Sequence, residues 1–224
     1  MSDDGREPAD DARLEAMRRR MVREQIAGRV RDPRVWAAME AVPRHLFVPK
    51  HLRYAAHADS PLPIGDGQTI SQPLMVATMI EALQLASHDR VLDVGGGSGY
   101  QAAVLAQIAR EVISIEIQPR LADRARESLA RAGIDNVRVV VGDGGLGYPA
   151  GAPYDGIVVA AAAPRVPRAL VDQLAVGGRL VLPIGPPHGM QRLVRVRRDA
   201  SGVRPAEELT LCAFVPLVGQ QGWR

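Results

Sequence analysis

The stretch Val91-Leu-Asp-Val-Gly-Gly-Gly-Ser-Gly-Tyr100 is where residue types and spacing first suggest chemistry. Val91-Leu92-Asp93-Val94 reads as a short apolar strand, Gly95-x-Gly97-x-Gly99 follows at once, and a helix-forming run comes next. Glycines let the backbone turn tightly and let a ligand approach closely. The amino end of the following helix adds free N–H groups for polar ligand atoms. Alone, such a turn would also serve a nicotinamide or flavin cofactor, or no ligand at all. The spacing here, however, is Gly-x-Gly-x-Gly and not the Gly-x-Gly-x-x-Gly of dinucleotide sites. S-adenosyl-L-methionine fits that difference: it has no pyrophosphate, and needs room for a methionine tail and a partner for its ammonium group.

Three carboxylates stand where an adenosyl cofactor needs them. Asp93, just before the turn, either attracts the ammonium group, directly or through water, or is locally capped; both readings stand. Glu116 ends the next strand, about 20 residues beyond the turn, where a carboxylate accepts ribose hydroxyls. Asp143, in Val141-Gly-Asp-Gly144, ends the third strand, and a carboxylate with neighbouring N–H groups there can read an adenine edge. Acids at three successive strand ends converge on one crevice of an open α/β sheet.

The elements that position these groups follow from periodicity. Strands are expected at 90–94, 111–115, 137–141, 156–160, 179–183, 191–197 and 209–217, and helices at 75–85, 101–109, 120–132 and 166–174. Gly177-Gly178 reads as the turn into the strand at 179–183. This alternation predicts a doubly wound, mostly parallel α/β sheet, with one of the last two strands antiparallel. Upstream, a helical pattern runs over 12–27, and Asp32-Pro33 looks like a cap and first turn of a helix ending before Pro43. Residues 43–66 hold several prolines and no clear long element, and read as an arm over the binding site. A disordered acidic tail is expected at 1–15, and one domain at 16–224, with a helical arm and substrate segment at 16–88 and a cofactor-binding core at 89–218.

Several segments resemble the protein-L-isoaspartate O-methyltransferase family. They are Met21-Val-Arg-Glu-Gln25, Ala41-Val-Pro-Arg-His-Leu-Phe-Val-Pro49, Asp66-Gly-Gln-Thr-Ile-Ser-Gln-Pro73, Gly97-Ser-Gly-Tyr-Gln-Ala-Ala-Val-Leu-Ala106, Gly142-Asp-Gly144, Ala152-Pro-Tyr-Asp155, Gln173-Leu-Ala-Val-Gly-Gly-Arg-Leu-Val181 and Phe214-Val-Pro-Leu217. They cover about residues 20 to 218, in the family's order. Gly96 and Ala160 depart from it, standing where threonine is common. The resemblance implies a Rossmann-like class I methyltransferase that moves a methyl group from S-adenosyl-L-methionine to the α-carboxylate of L-isoaspartyl residues in damaged proteins. It also implies an active-site role for Ser71, the serine at the family's matching position. Ser71, helped by Thr69, would orient the substrate carboxylate; the alternative is a cap on the helix near Pro73. The expected cofactor contacts are Ile70, Ser71, Asp93, Gly95, Gly97, Ser98, Gly99, Glu116, Ile117, Asp143 and Gly144.

Composition agrees with that chemistry. A carboxylate is already ionised at neutral pH, so no general base is required. The five histidines form no ligand or triad pattern, and the single cysteine, Cys212, sits in an apolar run and reads as core. A nucleic-acid methyltransferase is the main competitor. Enzymes acting on adenine amino groups carry an Asn/Asp-Pro-Pro-aromatic motif after the fourth strand, and Ala160-Ala-Ala-Ala-Pro164 stands there instead. The charge of +3 is carried by scattered arginines with acids among them, and aromatics are only 4%, too few for a base-stacking platform. A relative that binds the cofactor without turnover is the third reading, and intact Ser71, Glu116 and Asp143 speak against it. No run of eighteen apolar residues and no secretory pattern occurs, so a cytoplasmic monomer with no membrane or nucleic-acid partner and no metal is expected.

Overall fold

A computed structural model of the chain describes residues 8–223. The expected tail lies partly outside them, at 1–7. Its remainder is helical: α1 runs over Pro8–Met21 and passes directly into a π-helical turn, Val22–Ile26. Proline suits a first helical turn because its missing N–H would be unpaired there anyway. Asp10 and Asp11 in the first turn and Arg18, Arg19 and Arg20 in the last match the helix dipole. Helix α2, Pro33–Ala41, starts as read from sequence: the Asp32 carboxylate accepts the Arg34 N–H.

Residues 43–66 are more structured than their prolines suggest. Two 3₁₀ turns, Arg44–Phe47 and Lys50–Ala55, precede a two-stranded antiparallel hairpin of β1, Leu62–Gly65, and β2, Gln68–Ile70. Gly65 pairs with Gln68, leaving Asp66-Gly67 as a two-residue loop with φ of 53° and 71°. Positive φ at both positions is what a tight hairpin turn demands, and Asp-Gly supplies it at low cost. Helix α3 follows at Pro73–Leu83.

The core then alternates β3 (Arg90–Val94), α4 (Tyr100–Ala106), β4 (Glu111–Glu116), α5 (Pro119–Arg131), β5 (Val137–Val141), β6 (Tyr154–Val159), α6 (Arg168–Asp172), β7 (Leu174–Ile184), β8 (Gln191–Asp199), β9 (Gly202–Val203) and β10 (Glu207–Cys212). The sheet order is β10-β8-β7-β6-β3-β4-β5, with β9 beside β8. The pairs from β5 to β7 are parallel, and β8 is antiparallel to both β7 and β10. This is the doubly wound, mostly parallel sheet expected. Successive strand residues face opposite sides, so Val91 and Val158 pack among α2 to α5, while Leu92, Val94, Ile157 and Val159 pack on the face that carries Leu170 of α6.

Three expectations at the carboxyl half need correction. Gly177-Gly178 is no turn between elements: it lies inside β7, where Tyr154 pairs with Leu174 but Gly156 pairs with Arg179, so the intervening residues bulge outward at Gly177, φ 88°. The helix expected at 166–174 is shortened to five residues, because Pro167 becomes its cap and Leu174 enters the strand. The strand expected at 209–217 ends at Cys212; beyond it the chain turns inward, and Pro216 bridges to Ala162.

Candidate active site

The chain moves outward from β3 through β4 to β5, then returns to place β6 on the other side of β3. The carboxyl ends of β3 and β6 therefore flank a topological switch point, the usual crevice for a ligand in such sheets. The glycine turn sits there. Gly95 and Gly96 donate their N–H groups to the Ile115 carbonyl at 2.9 and 3.2 Å, and Ala160 donates to Val94 at 2.8 Å. Gly95, Gly97 and Gly99 have φ of 80°, 51° and 85°, the left-handed region that favours glycine. Against this turn opens a cavity walled by the hairpin strand β2, the end of β4 and residues 215–218.

Of the expected residues, Thr69, Ile70, Ser71, Gly95, Gly97, Ser98, Glu116, Ile117 and Gly144 line the cavity. Ser71 lies between β2 and α3. The helix is capped at Gln72, with no side-chain cap bond, so the Ser71 hydroxyl is not spent on capping. Glu116 ends β4 with its carboxylate fixed: one oxygen accepts the Gly97 N–H at 2.8 Å, the other the Gln118 N–H at 2.9 Å. Each oxygen keeps a second lone pair for a hydroxyl from the cavity.

Asp93, Gly99 and Asp143 do not line the cavity. Asp93 is fully buried, accepting Gln101 Nε2 and Ser114 Oγ, each at 2.8 Å. Burial pushes its carboxyl up to about 6; the two hydrogen bonds pull it down, and the Glu116 charge raises it further. Through those two bonds Asp93 ties α4 to β4 beneath the turn. The same network accounts for Gly96. A Cβ there would stand 2.2 Å from Ser114 Oγ, so the serine hydroxyl occupies the space a side chain at 96 would take. Gly99 packs against α5, where a Cβ would meet that of Ala125 at 3.1 Å. Asp143 is engaged behind the wall, accepting Gly145 N–H at 2.9 Å and Gln220 N–H at 2.7 Å, and it presents Gly144 to the cavity.

Sequence reasoning gave no role to Tyr100, Gln101, Gln118, Ala161 or residues 215–218, which also line the site. The last group is placed by strand-like bonds to Ala162: its N–H reaches the Val215 carbonyl, and its carbonyl accepts the Leu217 N–H, both at 2.8 Å. The available signal was Phe214-Val-Pro-Leu217, whose proline is a poor fit to a central strand. Cys212 is buried and its thiol is pushed up to about 11, which suits core and not a nucleophile. Among the described residues no group of histidine, cysteine or carboxylate side chains could hold a metal ion, and no helix is long and apolar enough to cross a membrane.

Known proteins share this arrangement. A protein-L-isoaspartate O-methyltransferase of Methanoculleus marisnigri is 56% identical over 217 residues, spanning 96% of this chain and 97% of its own. One of Rhodopseudomonas palustris, numbered 1, is 57% identical over 217 residues, spanning 96% of this chain and 89% of its own. A Plasmodium falciparum crystal structure, described as a beta-aspartate methyltransferase in complex with S-adenosyl-L-homocysteine, superposes with a TM-score of 0.77 at 26% identity. The match covers 90% of this chain and 98% of that one. With a family model matching residues 16–222 over the very elements that build the crevice, the chain belongs to the protein-L-isoaspartate(D-aspartate) O-methyltransferase family.

Proposed function

We propose that this chain transfers the methyl group of S-adenosyl-L-methionine to the free α-carboxylate of L-isoaspartyl residues in damaged proteins and peptides. The observation that carries the reading is Ser71: its hydroxyl, free of the helix cap, lines the same cavity as the glycine turn and Glu116. The glycine turn and the open lone pairs of Glu116 fit an adenosyl cofactor. Ile70, Ser71, Gly95, Gly97, Ser98, Glu116, Ile117 and Gly144 contact it, and Asp93, Gly99 and Asp143 hold those residues from behind.

The cofactor supplies an electrophilic methyl group on a sulfonium. The chain's task is positioning. A substrate carboxylate, pKa about 4, arrives ionised, so no residue need remove a proton. With the cofactor bound, its oxygen would bond to the methyl carbon as the bond to sulfur broke, leaving a methyl ester and a neutral thioether. Ser71 donates a hydrogen bond that aims this weak nucleophile, with Thr69 beside it. Apolar walls from Ile70, Ile117 and Leu217 keep water, the competing acceptor, away.

The described lining holds no lysine or arginine, and Glu116 is its one charged side chain. A nucleic-acid substrate would find no cation in that lining to meet a phosphate next to the reacting group. That favours protein substrates, handled by a single methyltransferase domain over 16–224 acting as a cytoplasmic monomer. Ser71→Ala tests the reading. Turnover on an isoaspartyl peptide should fall on the order of 100-fold, as for loss of one transition-state donor. S-adenosylhomocysteine should bind within about threefold of wild type; unchanged turnover would sink the assignment.

A further inference from the structure

A cavity whose one charged lining group is a carboxylate is a poor place for a second carboxylate. The methyl-accepting group proposed above is an anion; besides the sulfonium it would attack, a second positive charge lies behind the wall. Arg44 is there. Its side chain is fully buried, and no carboxylate lies within ion-pair distance of it among the described residues. Nε donates to the Ala56 carbonyl and one terminal nitrogen to the Ser71 carbonyl, each at 2.7 Å. The guanidinium also lies 4.5 Å from the ring centroid of Tyr100, a cavity residue at the start of α4. Its other terminal nitrogen has no well-formed hydrogen bond, and the Tyr100 hydroxyl is the polar group that acts on the guanidinium. Burial lowers its pKa from the usual arginine value, partly offset by Tyr100 and the more distant Asp59. A guanidinium nonetheless stays charged in proteins.

Burying a cation without a paired carboxylate is costly, and the charge of Arg18 nearby makes it costlier. Arg18, half-buried, and the buried His45 and His57 surround the same place. An apolar side chain would fill the space more cheaply. We propose that Arg44 is a positioning residue for the methyl transfer: its hydrogen bond fixes the Ser71 backbone, and its charge adds to that of the sulfonium in drawing the substrate carboxylate into the cavity. The proposal rests on the isoaspartyl reading of the site. It separates two contributions, geometry through the fork of the guanidinium and attraction through the charge.

Arg44→Lys keeps the charge and loses the fork. In steady-state assays on an isoaspartyl peptide it should lower kcat about tenfold or more and leave KM for the peptide within about threefold. Arg44→Met keeps volume and loses both, and should in addition raise KM for the peptide about tenfold or more. S-adenosylhomocysteine, titrated by calorimetry, should bind both variants within about threefold of wild type. A merely structural role predicts that cofactor affinity, KM and kcat decline together; that outcome, or wild-type kcat in Arg44→Lys, would overturn the proposal. Should Arg44→Met fail to fold, the kcat-against-KM split in Arg44→Lys decides alone. Wild-type enzyme inactive on the isoaspartyl peptide would instead refute the underlying reading.

Discussion

Gly96 and Ser114 act as one unit of volume at the residue scale. A methyl group at position 96 would stand 2.2 Å from Ser114 Oγ, and that hydroxyl also satisfies the buried Asp93. Gly96→Ala should therefore cost about 1–3 kcal/mol by overpacking. Adding Ser114→Ala should return part of that loss, a coupling that a double-mutant cycle on chemical denaturation would read. Strict additivity would mean that the two positions do not compete for space. Glu116 is the second residue-scale test. Glu116→Ala frees the backbone N–H groups of Gly97 and Gln118 and removes the proposed acceptor for ribose hydroxyls, so S-adenosylhomocysteine should bind on the order of 10- to 100-fold more weakly by calorimetry. Glu116 stood out in the sequence only jointly with the glycine turn and the other strand-end acids, since one such acid alone is more often a plain strand-end residue. The reading of Asp93 as an ammonium partner was not settled there, since burial behind the turn depends on Gln101 and Ser114, which spacing alone does not place.

The arm shows how far elements can be read. Its prolines pointed to irregular chain, and the 3₁₀ turns agree, but the hairpin signal was Asp66-Gly67 between two short strands. Three and four residues are too few for periodicity to register. The hairpin matters because Ile64 packs over Gly97 and Gln68 to Ser71 form one wall of the cavity. The arm also buries His57, whose pKa desolvation lowers to about 4, helped by His45, Arg44 and Arg18. The unfolded chain takes up that proton near 6.5, the native one only near 4, so stability is full above 6.5 and declines as pH falls to 4, by on the order of 3 kcal/mol. Asp93 runs the opposite way. Its native pKa of about 6 lies above the ordinary 3.8, so the native state gains stability as pH falls from 6 toward 4, by on the order of 3 kcal/mol. Measured as differences in Tm from wild type, His57→Leu should gain on wild type as pH drops from 6.5 to 4. Asp93→Asn should lose ground over pH 6 to 4. Difference curves that stay flat would show that neither group is buried as described.

At the scale of the whole molecule, the parallel half of the sheet was readable because strands such as Arg90–Val94 and Val137–Val141 are apolar runs bounded by turns. The carboxyl-terminal half was harder. Residues 215–218 reach the cavity only because Ala162, more than fifty positions earlier, offers them a strand edge. Likewise the Gln220 N–H finds Asp143 across 77 positions, and a backbone donor leaves no mark in residue type. These contacts draw β3, β4, β5, β6 and the chain after β10 into one crevice built for a single adenosyl group and a single carboxylate. The direct test of that account is labelled methyl transfer by the wild-type protein to three acceptors: an L-isoaspartyl peptide, the matched L-aspartyl peptide and RNA. Base-labile label on the isoaspartyl peptide alone is the predicted result; label on RNA, equal label on both peptides, or none on any acceptor would contradict it.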